Sequence, residues 1–365
     1  MDRPGLYVHV PFCARKCPYC DFFSVSALEL TPVYLKALAQ EAARAAAFWR
    51  TPFDTLYIGG GSPSLLSRGD LKALKAALSP LELTPDAETT LEVNPEDADP
   101  DKMAFWADWG VTRLSLGAQT FDARFLAGSL GRTHLPADSF AAMEAAAAAG
   151  LSLSLDLIYG HAGQNPEDWA ADLDKASASW AEHISAYALT PAPGTPLARA
   201  LAERLVPRLL GEAASAELFA LTAEALKIRG FERYEVSNFA RGGAVCRHNL
   251  KYWRRTPYLG LGPSAHSFDG TRRWADEASV RRWAAALDRQ DEPRSFVEEV
   301  TPEQARLEAI MLGLRLSEGF SASLLKPSQA LEDFCAQGYL ELEDELIKPT
   351  EKGLAVADFL ARQLA

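Results

Sequence analysis

Short runs of β-branched and apolar residues alternate with longer Ala/Leu-rich segments through the first 230 positions of the chain. Residues 6–12, 55–59, 89–93, 113–117, 151–158 and 183–189 have the length and side-chain type of buried strands. The segments near 31–49, 69–78, 100–109, 136–149, 166–181 and 211–229 predict helices. Such alternation places successive strands parallel in one sheet. Six βα units are too few to close an eight-stranded barrel. The expected fold class is therefore α/β, a partial (βα)6 barrel whose chemistry gathers at the C-terminal strand ends. After residue 300 the pattern changes. Residues 303–316 form an amphipathic helix, 330–337 look helical, 338–350 read as strand, turn and strand, and 352–364 close the chain as a helix. That order predicts a winged-helix-like α+β module. Three regions result: a core over 1–230, an intermediate aromatic and basic region over 231–300, and the C-terminal module over 301–365.

The predicted strand ends carry polar groups. The first runs into Cys13, the second into Gly59-Gly-Gly-Ser-Pro63, and the third carries Glu92 and Asn94. The fourth ends at Gln119, the fifth holds Asp156 and Tyr159, and the sixth holds Tyr187 and Thr190. Core packing does not explain polar residues converging from six elements; a cleft above the sheet does. The glycine turn lets a backbone approach a ligand and leaves N–H groups free. A tight turn with no ligand is its plainer meaning. It is neither a P-loop nor a dinucleotide fingerprint.

Three of the five cysteines stand within eight residues, Cys13-Ala-Arg-Lys-Cys17-Pro-Tyr-Cys20. Structural zinc wants four ligands, and no second pair follows; Cys246 and Cys335 are isolated. An odd cysteine count in a chain of 365 residues does not suit a disulfide framework. Three thiolates on one loop can instead hold a [4Fe–4S] cube by three irons, leaving the fourth open to a small molecule.

Composition narrows the partners. A net charge of −12 argues against broad nucleic-acid binding. The arginines at 272–273 and 281–282 are one candidate basic patch, with a solvated face as the simpler reading. There is no apolar stretch of spanning length and no basic-apolar signal at the start. The cytoplasm is the expected compartment, with peripheral membrane contact left open.

The cysteine spacing resembles the signature of the radical S-adenosylmethionine (SAM) superfamily. Further motifs are similar to the oxygen-independent coproporphyrinogen III oxidase group: Tyr7-Val-His-Val-Pro-Phe-Cys13, Cys17-Pro-Tyr-Cys-Asp-Phe22, Gly59-Gly-Gly-Ser-Pro-Ser-Leu65, Gln119-Thr-Phe121, Leu130-Gly-Arg132 and Asp156-Leu-Ile-Tyr-Gly160. His248-Asn-Leu-Lys-Tyr-Trp253 and Gly262-Pro-Ser-Ala-His266 resemble its HemW branch of haem chaperones. The resemblance implies that Cys13, Cys17 and Cys20 ligate a [4Fe–4S] cluster. It places Tyr7, Tyr19, Gly60, Gly61 and Ser62 along SAM, with the glycine turn at the methionine amino group. Glu92, Gln119, Arg132 and Asp156 would hold the adenosine end or a neighbouring ligand. A side chain added at Gly61 is expected to block SAM while sparing the cluster.

Phe22 departs from the oxidases, which carry another cysteine there and a longer segment ahead of the cluster motif; only twelve residues precede Cys13 here. Both features favour haem handling over decarboxylation. On a helix, His248 and Tyr252 share a face beside Trp253. With Asn249 they form the expected haem site: a neutral imidazole is an axial ligand and flat aromatics suit a porphyrin face. The alternative is a core histidine satisfied by a carbonyl, and Cys246 is a second possible iron ligand. His9 and His266 read as structural or close to the SAM cleft. The leading expectation is a haem chaperone that passes haem to apo haem proteins. A coproporphyrinogen III decarboxylase stands as its rival, and a radical enzyme acting on RNA as a remote third. Whether the chain is an enzyme stays open.

Overall fold

The computed structural model describes residues 3–364. In chain order the elements are β1 (Gly5–Val10), α1 (Thr31–Ala45), β2 (Phe53–Gly60), α2 (Arg68–Leu78), β3 (Leu83–Val93), α3 (Pro100–Trp109), β4 (Arg113–Gln119), α4 (Ala123–Gly128), α5 (Pro136–Ala148), β5 (Ser152–Tyr159), α6 (Pro166–Ala178), β6 (His183–Ala188), α7 (Pro196–Ala202) and α8 (Glu212–Ile228). They continue as β7 (Glu232–Arg233), β8 (Asn238–Ala240), α9 (Arg247–Trp253), β9 (Tyr258–Leu261), β10 (His266–Phe268), β11 (Arg272–Asp276), α10 (Val280–Asp288) and β12 (Arg294–Glu299). The last are α11 (Pro302–Gly313), β13 (Phe320–Ser321), α12 (Gln329–Ala336), β14 (Leu340–Glu343), β15 (Leu346–Pro349), α13 (Glu351–Leu354) and α14 (Ala357–Leu364). They group into two compact units. The first takes residues up to Leu155 with Thr190–Pro207 and Thr256–Glu299; the second takes Asp156–Leu189, Arg208–Arg255 and Val300 onward.

In the first unit β1 lies at the centre of a sheet ordered β12-β11-β10-β9-β1-β2-β3-β4. β9, β1, β2, β3 and β4 run parallel, and β10 to β12 return antiparallel. The register sets Tyr7 beside Tyr57, and His9 beside Gly59. Val8, Val10, Ile58, Leu91, Leu114 and Leu116 are fully buried or nearly so, as parallel strands covered on both faces require. Helix starts follow their local chemistry. Ser67 and Asp70 form a capping box on α2, and Asp99 caps α3 with Pro100 at its first position. Gly110, at φ 110°, ends α3 in the left-handed region.

In the second unit β8 pairs antiparallel with both β6 and β7. Helices α6 and α8 are joined by Trp169, whose Nε1 donates to Thr222 Oγ1 at 2.8 Å. The chain's end forms a three-stranded antiparallel sheet, β13-β15-β14, with α11, α12 and α14 around it. Ile310, Leu314, Phe320, Leu340, Ile347 and Leu360 make its core.

Two features differ from the sequence expectation. β3 begins at Leu83, six residues before 89, because Leu83-Thr-Pro-Asp-Ala-Glu88 carries no apolar alternation yet still pairs with β2. Residues 231–300 hold six short strands, and β9 inserts beside β1 in the parallel sheet. The 272–282 arginines are ordinary surface: Arg272 pairs with Asp269, Arg273 with Glu298 and Arg282 with Glu277.

Candidate functional site

The cysteine loop leaves the C-terminal end of β1 and is tied down along its length. Cys13 N donates to Val25 O at 3.0 Å, Lys16 Nζ to Phe22 O at 3.0 Å, and Leu197 N to Pro18 O at 2.9 Å. The Arg15 side chain donates to Gly131 O. All three thiols are free and half-buried. Burial pushes the Cys20 thiol up, opposed by its Phe22 backbone contact. Arg132 Nη1 lies 3.6 Å from Cys17 Sγ, and Ser62 Oγ 3.6 Å from Cys13 Sγ. The phenol of Tyr19 is raised by burial, against the pull of the Arg132 guanidinium. Each thiolate of a cubane binds a different iron, so the sulfurs need not meet at one point. Among the described residues no three His, Cys, Asp or Glu side chains converge on a single ion. A soft thiolate set with cationic and hydroxyl neighbours fits an iron–sulfur cluster.

Next to this loop stands the glycine turn at the end of β2. Its N–H groups are all spent, contrary to the expectation that they stay free. Gly60 N donates to Glu92 Oε2 (2.9 Å), Gly61 N to Val10 O (2.8 Å) and Ser62 N to Phe12 O (2.6 Å). What the turn can offer a ligand's ammonium is carbonyl oxygen. Gly61 is required by the chain itself: a Cβ there would sit 2.5 Å from Phe12 O and 2.8 Å from Val10 O. A substitution at Gly61 thus disturbs the cysteine loop as well as any ligand, so the expected separation of the two does not hold. Gly59 faces the Glu92 carboxylate, where a Cβ would come within 2.7 Å.

Glu92 on β3 also accepts from Tyr57 Oη at 3.0 Å. Tyr57 was not read as a site residue; its signal is the register that sets it beside Tyr7, with ring centroids 6.2 Å apart. Tyr7 Oη meets His9 Nδ1 at 3.0 Å, and His9 Nε2 meets Phe23 O at 2.8 Å. A carbonyl only accepts, so Nε2 carries the proton and Nδ1 accepts from Tyr7. Burial holds His9 neutral, with its pKa lowered to about 4. Asn94 Nδ2 donates to Ser62 Oγ (2.9 Å), and Arg132 Nη2 donates to Asn94 Oδ1 (2.7 Å). Gln119 ends β4 at φ 65°, its amide against Gly117. In the first unit, then, Tyr7, Tyr19, Gly60, Gly61, Ser62, Glu92 and Arg132 adjoin the cysteine loop or the glycine turn, and Gln119 lies at the neighbouring strand end. Asp156 lies on β5 within the second unit, half-buried, with its charge felt by Tyr187. Tyr159 is core rather than cleft: it is 4% exposed and packs on Trp169 at 5.1 Å.

The second unit holds the His248 motif on α9. His248 is 1% exposed and its Nε2 lies 2.9 Å from Tyr252 Oη. Burial lowers its pKa to about 3. Asn249, Tyr252 and Trp253 are half-buried, and Cys246 is buried at the helix start. Tyr234, also not read from sequence, accepts from Cys246 N at 3.3 Å, and its Oη lies 2.8 Å from His183 Nε2.

Comparison with known proteins decides the family. Residues 7–176 match the Radical SAM superfamily model and residues 300–356 the HemN C-terminal domain. The chain is 36% identical to the Heme chaperone HemW of Mycobacterium tuberculosis, covering 99% of this chain and 94% of that protein. The Heme chaperone HemW of Escherichia coli is 32% identical, with 96% and 94% covered. The chain belongs to the HemW family of the radical SAM superfamily. A mouse relative, the mitochondrial Radical S-adenosyl methionine domain-containing protein 1, is 32% identical over 98% of this chain and 86% of its own. Among solved structures, coproporphyrinogen III oxidase (HemN) of E. coli superposes with a TM-score of 0.84 at 22% identity, covering 99% of this chain and 90% of that one. That likeness establishes the fold: the α/β fold of the superfamily with its C-terminal module. Among the described residues no helix is long and apolar enough to cross a membrane.

Proposed function

We propose that this chain binds haem and delivers it to apo haem proteins, and that it carries a SAM-bound [4Fe–4S] cluster on Cys13, Cys17 and Cys20. The observation that carries the reading is the near-full-length identity to proteins named haem chaperones. Phe22 supports it. It is 64% exposed at the position where the oxidase motif has a thiol, and it cannot serve proton or electron transfer.

The cluster, when bound, would supply an electron to SAM. Around it the chain's own residues do the positioning. Arg132 balances charge beside Cys17 and ties that loop through Asn94 to Ser62. Glu92 fixes the glycine turn through Gly60 N while Tyr57 fixes Glu92. The carbonyls of that turn suit a substrate ammonium, and Gln119 would serve the adenosine end. Haem is cargo, with His248 as the proposed axial ligand and Asn249, Tyr252 and Trp253 beside it. Cytoplasmic residence is part of the same reading.

The deciding experiment is anaerobic reconstitution followed by two assays side by side: haem titration with transfer to an apo haem protein, and decarboxylation of coproporphyrinogen III. Reconstituted protein should hold about four irons per chain, and Cys17→Ser should lose most of them. Saturable haem binding without porphyrinogen turnover supports the reading. Repeated turnover to protoporphyrinogen IX would replace it with the decarboxylase.

A further inference from the structure

In this structure the proposed haem ligand is shut. His248 is 1% exposed and its Nε2 is occupied by Tyr252 Oη, so iron reaches that nitrogen only after Tyr252, on the same helix, moves away. Helix α9 has only seven residues, too few to hold its shape unaided in water. Its two ends are fastened, and both fastenings lead to the same part of the C-terminal module.

At its start, Cys246 N donates to Tyr234 Oη. The Tyr234 segment is in turn stitched to the loop after α11. Val236 N donates to Arg315 O (2.9 Å), Ser317 N to Tyr234 O (3.1 Å) and Ser317 Oγ to Arg233 O (2.7 Å). Glu235 and Leu316 form an isolated antiparallel bridge between them. At the end of α9, Arg254 makes a two-point ion pair with Glu318, at 2.7 and 2.6 Å. Arg255 Nε donates to Glu308 Oε2 on α11 at 2.9 Å. Arg255 sits at φ 53°, a left-handed backbone that a long side chain rarely adopts. Such a conformation persists where surrounding contacts enforce it, and the ion pair to Glu308 is one such contact.

We propose that the C-terminal module is a latch on the haem helix: residues Glu308 and Arg315–Glu318 hold α9 with His248 buried, and haem enters when that grip loosens. The proposal rests on the haem reading above and adds its regulation. The ion pairs suit a reversible device. Arg254 and Glu318 side chains are 42% and 48% exposed, so their pairing is weak and screened by salt. Arg255 and Glu308 are 17% and 20% exposed and form the firmer contact. A partner surface that competes for Arg254 and Arg255, or for the two glutamates, would open the helix where haem is to be exchanged.

The test compares full-length wild type with Glu308→Gln/Glu318→Gln. Two readouts are used: hydrogen exchange of α9 amides without haem, and the rate of Soret-band appearance on adding haem. Loosening the latch raises the open fraction. The double variant should exchange α9 amides faster and take up haem roughly three to ten times faster, with the same final spectrum. Combining Arg254→Glu with Glu318→Arg should restore slow exchange, which separates the ion pair from general loss of fold. Unchanged exchange and uptake in the double variant overturn the latch. Faster exchange with no saturable haem binding by either protein overturns the haem reading and leaves the gate without a cargo.

Discussion

Arg132 Nη2 donates to Asn94 Oδ1 at 2.7 Å while its Nη1 stands 3.6 Å from Cys17 Sγ. One guanidinium thus joins the cysteine loop to the end of β3, and Asn94 passes the link to Ser62. Charge-assisted hydrogen bonds of this kind are worth about 1.5–3 kcal/mol. Arg132→Met should therefore leave the three thiols able to take up iron but hold it poorly. Release of iron to a chelator should be roughly ten- to a hundredfold faster than in wild type, following that energy. Arg132→Lys, which keeps the charge but loses the fork, should fall between the two. Equal release rates in all three proteins would show that Arg132 has no part in holding the loop.

The glycine turn separates two neighbours by what each faces. Gly61→Ala drives its methyl into the Phe12 and Val10 carbonyls, which are backbone and cannot turn aside. A cost of about 1–3 kcal/mol in stability is expected, with impaired cluster assembly because Phe12 adjoins Cys13. Gly59→Ala meets the Glu92 carboxylate, a side chain that can rotate. That variant should fold and assemble the cluster but lose the Glu92–Gly60 contact, and weaken SAM binding if Glu92 orders the turn. Chemical denaturation and iron content, measured on both, distinguish them. Equal stability losses would remove the distinction.

Two buried histidines give acid sensitivity of a definite sign. The folded-state pKa of His9 is lowered to about 4 and that of His248 to about 3, in both cases first by burial. Unfolded histidine titrates near 6.5, so below that pH the unfolded chain binds more protons. Stability should fall as pH drops from about 6.5 towards 4, by at most about 1.4 kcal/mol per pH unit for each histidine. His248→Gln should lose part of that slope in denaturant melts at pH 7, 6 and 5. A slope identical to wild type would show that His248 is solvated in the folded state.

The strand–helix alternation was legible to within a few residues at most boundaries from β1 to β6, since each period is written locally. What escaped was non-local. β9 finds its partner β1 some 250 positions earlier, and its four residues carry no pattern that says so. The cysteine loop was legible because its three thiols stand within eight consecutive residues. Tyr57 and Tyr234 were not, because each acts through a register or a turn that only the fold provides. His248 shows the converse. Its motif named the residue, while its burial and its bond to Tyr252 could be seen only in three dimensions.

Glu41 and Asp276 give the last prediction. Glu41 Oε2 accepts from Gly262 N at 2.7 Å and Oε1 from Trp283 Nε1 at 3.1 Å, and its carboxyl is hydrogen-bonded to that of Asp276. They are 8% and 4% exposed. Two buried carboxyl groups in contact cannot both be ionised, so they share a proton. Burial, and then the neighbouring Glu41 charge, hold Asp276 far above the carboxylate range. Arg294 opposes this and Glu292 adds to it, while Arg44 acts on Glu41. An acid raised in the folded state binds its proton more tightly there than in the unfolded chain. Its effect is to make stability decline as pH rises above about 4. The Gly262 turn packs on His9 O, so the shared proton supports the strand that leads to the cysteines. Asp276→Asn supplies a permanent N–H in place of that proton. It should keep the fold, match or exceed wild-type stability at pH 8–9, and flatten the alkaline decline. Asp276→Ala, which leaves Glu41 without this partner, should cost about 1–3 kcal/mol. Thermal melts of the three proteins from pH 6 to 9 decide it: an Asn variant that weakens with pH as steeply as wild type would mean that the proton is not shared.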